Sequence, residues 1–178
     1  MLPEETQKVT TISAEVKPKM AVGWFSFTCC EDSTILFTEL LNDHFDEWKN
    51  LVEFRHLKAL KTKNTLKGLD VAFIEGAISS PTQEKEVKEI RDNAKYVVAV
   101  GACACTGLPS ASRNAFTNEN MTQRIQWYFD NFDYNPKVKK LEDVIKVDDK
   151  VEGCPMGVVT FIEMLKKYLK IFNIIKDA

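Results

Sequence analysis

Three stretches of the chain are apolar with almost no alternation: Met20 to Phe27, Leu69 to Ile74 and Tyr96 to Val100. A strand with one face in water alternates apolar and polar residues, whereas a strand buried on both faces does not need to. Between these runs lie segments of helical character. After Ser33 or Thr34, either of which can cap a helix, apolar residues recur at Ile35, Leu36, Leu40, Leu41 and Phe45 with helical spacing. Ser80 to Asn93 opens with Ser-Pro-Thr and carries acidic residues in its first turn, which are helix-start signals. A fourth strand, Leu51 to Leu57, alternates around Val52 and Phe54. Doubly buried strands interleaved with helices predict an α/β fold, a parallel sheet with helices on both faces. Beyond Pro109 the pattern is irregular, with a helix around Met121 to Phe129, a polar stretch to Lys150, and a last helix from about Val158 to Ile171, just after Cys154-Pro155.

The chain has 178 residues, enough for one domain with a real core, so 1–178 is read as a single domain with 1–18 as an N-terminal extension. A net charge of -2 offers no basic excess for phosphates and argues against nucleic acid as a partner. No apolar run approaches the roughly 20 residues of a transmembrane helix, and Met1 to Lys17 lacks the apolar centre of a signal peptide. The expected compartment is the cytoplasm.

Cysteine placement carries the functional signal. Five cysteines, an odd number without an export signal, fall in three tight places: Cys29-Cys30, Cys103-Ala104-Cys105 and Cys154-Pro155. That pattern argues for metal ligation or redox chemistry rather than a disulfide framework. In an open parallel sheet, ligands sit beyond the carboxyl ends of the strands. Cys29 and Cys30 follow the first strand, while Cys103 and Cys105 follow the Tyr96 to Val100 strand, so both pairs are expected on one edge. If Glu152-Gly153-Cys154-Pro155 folds back, it completes a thiolate pocket in which Gly101, Gly107 and Gly153 bring backbone N–H groups close to sulfur. Structural zinc favours pairs of C-x-x-C type, which this chain lacks, and Cys-Pro is a familiar last ligand of an iron–sulfur cluster. Four of the five cysteines suffice for a cubane.

These residues resemble a known family: the small subunit of NiFe hydrogenases and its relative, the cluster-binding subunit of about 20 kDa in respiratory complex I. The similarity rests on Thr28-Cys29-Cys30-Glu31, on Phe73-Ile74-Glu75-Gly76-Ala77-Ile78-Ser79, on Val100-Gly101-Ala102-Cys103-Ala104 with Gly107, and on Gly153-Cys154-Pro155. Glu75 to Ser79 and Arg113-Asn114-Ala115-Phe116 lean towards the cytoplasmic hydrogenases. The resemblance implies a flavodoxin-like domain carrying one 4Fe-4S cluster, next to a NiFe centre held by a separate large subunit, with a downstream electron-transfer subunit as second partner. Where hydrogenase small subunits have the first cysteine of a C-x-x-C, this chain has Phe27, and the adjacent Cys29-Cys30 pair is similar to the complex I subunit instead. The implied ligands are Cys29, Cys30, Cys103 and Cys154, with Cys105 as a reserve that could replace Cys29. Glu31, which can also simply favour the start of the following helix, matches an acidic residue expected on a proton route towards the large subunit.

Two alternatives stay open from the sequence. One is a cluster-bearing subunit of a complex I-like oxidoreductase without hydrogenase activity. The other is a flavin-binding or scaffolding module, although Thr28 to Thr34 has no glycine and makes a poor phosphate cradle. Glu75 is expected either to orient backbone or to face a partner subunit. His44 and His56 are read as ordinary histidines, Trp24, Phe25 and Phe27 as core, and Lys58 to Lys67 as a solvated connection that could dock an acidic carrier.

Overall fold

The computed structural model describes residues 18–116, 119 and 121–176, so the N-terminal extension, apart from Pro18, lies outside the described residues. Five parallel strands form one sheet: β1 (Met20–Ser26), β2 (Val52–Leu57), β3 (Leu69–Glu75), β4 (Ala94–Val100) and β5 (Asp149–Val151). Their order is β2-β1-β3-β4-β5, the flavodoxin-like arrangement. Helices cover both faces, as the doubly apolar strands require. On one face α1 (Asp32–Asp43), α2 (Phe45–Leu51) and α6 (Val158–Ile171) enclose a core in which Trp24 stacks on Phe37 at 4.2 Å and meets Phe161 edge-on. On the other, α3 (Pro81–Asn93) and the short α4 (Gly101–Thr106) pack Val87, Ile90 and Ala104 against Phe25, Ala72, Ile74 and Val97. A further helix, α5 (Gln123–Asn131), follows a 3-10 segment at Ser110–Ala115.

Several local expectations need revision. Phe45 does not extend the buried stripe of α1; it is exposed and opens α2, which the apolar pattern does not separate from its neighbours. Neither Ser33 nor Thr34 is a cap. Both lie in the first turn of α1, behind Glu31 in left-handed conformation (φ 64°) with no side-chain cap of its own. Gly101 to Thr106, which the sequence pattern does not mark as a helix, is helical, and the polar stretch before Lys150 ends in β5, whose short parallel ladder with β4 has no apolar run to announce it. For α3 the start signals hold: Ser80 Oγ accepts from Gln83 N at 3.1 Å, and Pro81 follows it.

One connection shapes the surface. From β2 at the sheet edge, residues 58–68 must cross β1 to reach β3, and they do so as a loop with no helix. A loop covers less area than a helix, and a cavity of about 670 Å³ remains beneath it, lined by Phe25, His56, Leu66 and Ile90 among others.

Candidate metal centre

Parallel strands deliver their carboxyl ends to one rim, and the three cysteine segments meet there. Cys29, Cys30, Cys103 and Cys154 line a single cavity together with Ser33, Glu75 and the glycines Gly101 and Gly153. Backbone and hydroxyl hydrogen bonds stitch the segments pairwise. Ala102 N donates to Gly153 O at 2.6 Å, joining the second segment to the third. Met156 N donates to Ser33 Oγ at 3.2 Å, joining the third to the first. Ser110 Oγ donates to Thr28 O at 3.0 Å, joining the second to the first. Close approach explains two glycines: a Cβ at Gly101 (φ 78°) would stand 2.9 Å from Ser33 Oγ, and one at Gly153 (φ 118°) would stand 2.5 Å from Pro155 O.

Beneath this rim sits a buried carboxylate. Glu75, 3% exposed at the end of β3, accepts from Ser33 N at 3.1 Å, Thr34 N at 3.0 Å and Thr34 Oγ1 at 2.6 Å. Those two N–H groups are the unsatisfied donors of the first turn of α1, so Glu75 does from across the sheet what a local cap does elsewhere. Of the two roles expected for Glu75, backbone orientation is the one its contacts display.

The thiols differ in burial, Cys103 being buried, Cys29 half-buried, and Cys30 and Cys154 exposed. Burial pushes the Cys29 thiol up to about 11, against the pull of Ser26 Oγ at 3.5 Å. Cys30 also lies above the ordinary thiol range; the Asp32 N–H pulls it down, but desolvation and the Asp32 carboxylate prevail. Both are therefore neutral at pH 7 in the bare chain, and only a bound cation supplies the charge that makes them thiolates. Cys103 Sγ lies 3.3 Å from Ser110 Oγ.

Four thiols at one rim are soft donors, the kind that zinc or an iron–sulfur group takes. A tetrahedral zinc with bonds of about 2.3 Å brings its sulfurs to about 3.8 Å of one another. Among the described residues no three of His, Cys, Asp or Glu converge in that way. The concavity itself holds only about 10 Å³, roughly one water, and Cys30 and Cys154 are exposed at its mouth. Cys29, Cys30, Cys103 and Cys154 are the residues that would hold an iron–sulfur group, which would supply one-electron chemistry there.

Comparison with known proteins agrees with this architecture. Residues 29–168 match the family described as NADH ubiquinone oxidoreductase, 20 Kd subunit. The chain belongs to this family. Among the relatives of this family member is an F420-non-reducing hydrogenase component of Methanothermobacter marburgensis, 31% identical over 57% of this chain and 37% of that protein. The delta subunit of sulfhydrogenase 2 of Pyrococcus furiosus is 25% identical over 76% of this chain and 56% of its own length. The chain thus spans about a third to a half of the curated relatives it matches. A chain of an NAD+-reducing [NiFe]-hydrogenase superposes with a TM-score of 0.72, covering 86% of this chain and 92% of its own at 22% identity, which establishes the shared fold.

Within the family frame, the structure sorts the cysteines. The four at the rim come together; Cys105 does not. It points into the apolar layer, with Sγ 3.6 Å from Ala99 O and 3.8 Å from Val151 O, and burial raises its thiol to about 11. Glu31 is exposed and accepts from Ser26 Oγ at 3.0 Å, and its backbone N–H also stands beside the Cys29 thiol. His44 lies between α1 and α2, and His56 is buried in β2 with Nδ1 at 3.1 Å from Trp24 O, its basicity lowered chiefly by burial. Residues that sequence reasoning missed are Ser26, Ser33 and Ser110, whose hydroxyls tie the site together. Ser26 ends a strand, Ser33 lies in the first turn of a helix and Ser110 opens a 3-10 segment, and no spacing sets these three apart.

Proposed function

We propose that this chain is the electron-transfer small subunit of a NiFe hydrogenase. In this reading Cys29, Cys30, Cys103 and Cys154 hold one 4Fe-4S cluster that relays electrons between a NiFe centre in a large partner subunit and a downstream subunit. The observation that carries the reading is the convergence of four thiols from three stitched segments in a member of the NADH ubiquinone oxidoreductase 20 Kd subunit family. The relatives named as hydrogenase subunits support the choice of complex.

The bound cluster supplies reversible one-electron chemistry. The chain's own residues do the rest. Hydrogen bonds among Ala102, Gly153, Met156 and Ser33 fix the positions of three segments before any metal arrives. Ser26 and Ser110 stand beside sulfur, yet each hydroxyl proton also has a competing acceptor, Glu31 for Ser26 and the Thr28 carbonyl for Ser110. Their donation to sulfur is correspondingly shared, and it tunes the potential only in part. Trp24 and Phe37 exclude water below. The exposed mouth at Cys30 and Cys154 calls for a cover, which is the role of the large subunit.

A second reading is supported by one feature: Phe27 stands where hydrogenase small subunits have a cysteine, and the adjacent Cys29-Cys30 pair resembles the complex I type. One experiment separates the two. Anaerobic purification of the native complex, followed by metal analysis and a hydrogen-dependent dye assay, is expected to yield nickel together with iron and hydrogen-driven reduction. Iron without nickel, and no response to hydrogen, would assign the chain to the complex I-like class.

A further inference from the structure

The loop that joins β2 to β3 roofs a space that the fold leaves open. The cavity of about 670 Å³ beneath it has the size of a small-molecule site, and its apolar lining is Trp24, Phe25, Phe27 and Ile90, with Leu66 from the loop. Most of the polar groups that reach it are already engaged. Thr34 Oγ1 accepts from Trp24 Nε1 at 2.8 Å and donates to Glu75, Asn64 accepts from Leu57 N and donates to Lys61 O, and Thr65 Oγ1 accepts from Lys67 N.

His56 is the exception. It is 7% exposed, its ring stacks on Phe25 at 4.2 Å, and Nδ1 lies 3.1 Å from Trp24 O. A carbonyl oxygen only accepts, so Nδ1 carries the proton, and burial lowers the basicity of the ring, which leaves Nε2 with its lone pair. His56 lines the cavity, and among the described residues no donor meets that Nε2. A buried acceptor in this position is satisfied by a donor that enters the cavity. The charged groups around the same space are Glu31, Glu86 and Glu89 against Lys58 alone.

We propose that this cavity binds a small, flat aromatic cation that carries N–H donors, such as an aryl amidinium or a protonated amino-heterocycle. Its ring lies among the aromatic walls, an N–H donates to His56 Nε2, and its charge is balanced by the carboxylates. Aromatic faces attract a cation as well as a ring, and three carboxylates outweigh one ammonium. A phosphate-bearing ligand meets the opposite field and finds no free donor but Lys58. The site is separate from the cysteine rim, although Ser26, which lines it, stands 3.5 Å from Cys29 Sγ, and it holds its ligand whether or not the rim carries a cluster.

The test is calorimetric titration of the anaerobically purified native complex with two probes of equal size, benzamidine, a flat cation with N–H donors, and benzoate, an anion that only accepts. Benzamidine is expected to bind saturably with a Kd of about 1 mM or below, and benzoate at least about tenfold more weakly. His56→Phe, which keeps the stacked ring and removes the acceptor, is expected to weaken benzamidine binding about tenfold. Glu86→Gln/Glu89→Gln is expected to weaken it about threefold at low salt and less at high salt, while the control Glu39→Gln/Glu163→Gln, on α1 and α6, stays within about twofold of the unaltered protein. Benzoate binding as tight as that of benzamidine would overturn the proposal, as would the absence of saturable binding, the result for a gap that holds only water or is filled by a partner's side chain. So would unchanged binding in both cavity variants. Should His56→Phe fail to fold, the glutamate pair and the contrast between the probes decide.

Discussion

Cys103 and Cys105 lie two residues apart on one six-residue helix, and the fold uses them differently. Their exposures, 6% and 5%, do not distinguish them. Direction does. At about 100° per residue, positions i and i+2 point to nearly opposite sides of a helix, so α4 turns Cys103 to the rim and Cys105 into the core. Cys103 finds Ser110 and three other thiols around one cavity. Cys105 finds Ile74, Leu141 and two backbone carbonyls. Chain spacing alone could not rank them, because C-x-C offers a metal either residue; the supporting shell decides which sulfur is available.

The sharpest way to break this contrast is to exchange the two cysteines' roles. Cys103→Ser should abolish cluster absorbance and cut bound iron more than tenfold, while Cys105→Ala should keep both and cost only about 1 kcal/mol of stability from the lost packing. Retention of iron by the first variant together with loss by the second would mean that the rim has been misassigned. Next in size is Glu75→Ala, which strips the first turn of α1 of its acceptor and leaves buried N–H groups unpaired. A loss of about 3 kcal/mol in denaturant unfolding is expected, with Glu75→Gln intermediate because it keeps one acceptor oxygen.

A smaller effect probes the third segment. Asp148 accepts from Val97 N and pairs with Arg91 at 2.6 Å just before β5, anchoring the strand that leads to Cys154. Burial works to raise its carboxyl, but the hydrogen bonds from Val97 and Arg91 outweigh it, and the group lies below its ordinary value of 3.8. A carboxyl depressed in the folded state stabilises above its unfolded value and loses that contribution as pH falls through the folded one. Asp148→Asn should therefore cost about 2 kcal/mol at pH 7, and the gap to the unaltered protein should shrink below about pH 4. A gap constant from pH 7 to pH 3 would show that packing, not charge, anchors β5.

Much of this architecture is legible in the chain. The apolar runs at Met20, Leu69 and Tyr96 are strands because nothing else buries both faces in so few residues, and Ser80-Pro81 starts a helix by backbone chemistry alone. The gathering of Cys29 and Cys103 follows from strand direction once the sheet is parallel, whereas Cys154 joins them through β5, which the sequence does not announce. What stays hidden depends on partners distant in sequence. β5 has three residues and forms only against β4, and the cap of α1 is a carboxylate more than forty residues away. That Cys105 turns inward while Cys103 lines the rim depends on the rotation of a helix, and residue spacing alone does not show it.

The most direct test of the central claim is low-temperature electron paramagnetic resonance of the anaerobic, dithionite-reduced protein. Four rim thiols holding one cubane predict a single reduced 4Fe-4S signal of about one spin per chain, unchanged by Cys105→Ala and absent in Cys103→Ser. A silent spectrum from protein carrying zinc, or a signal that survives Cys103→Ser and vanishes with Cys105→Ala, would contradict it.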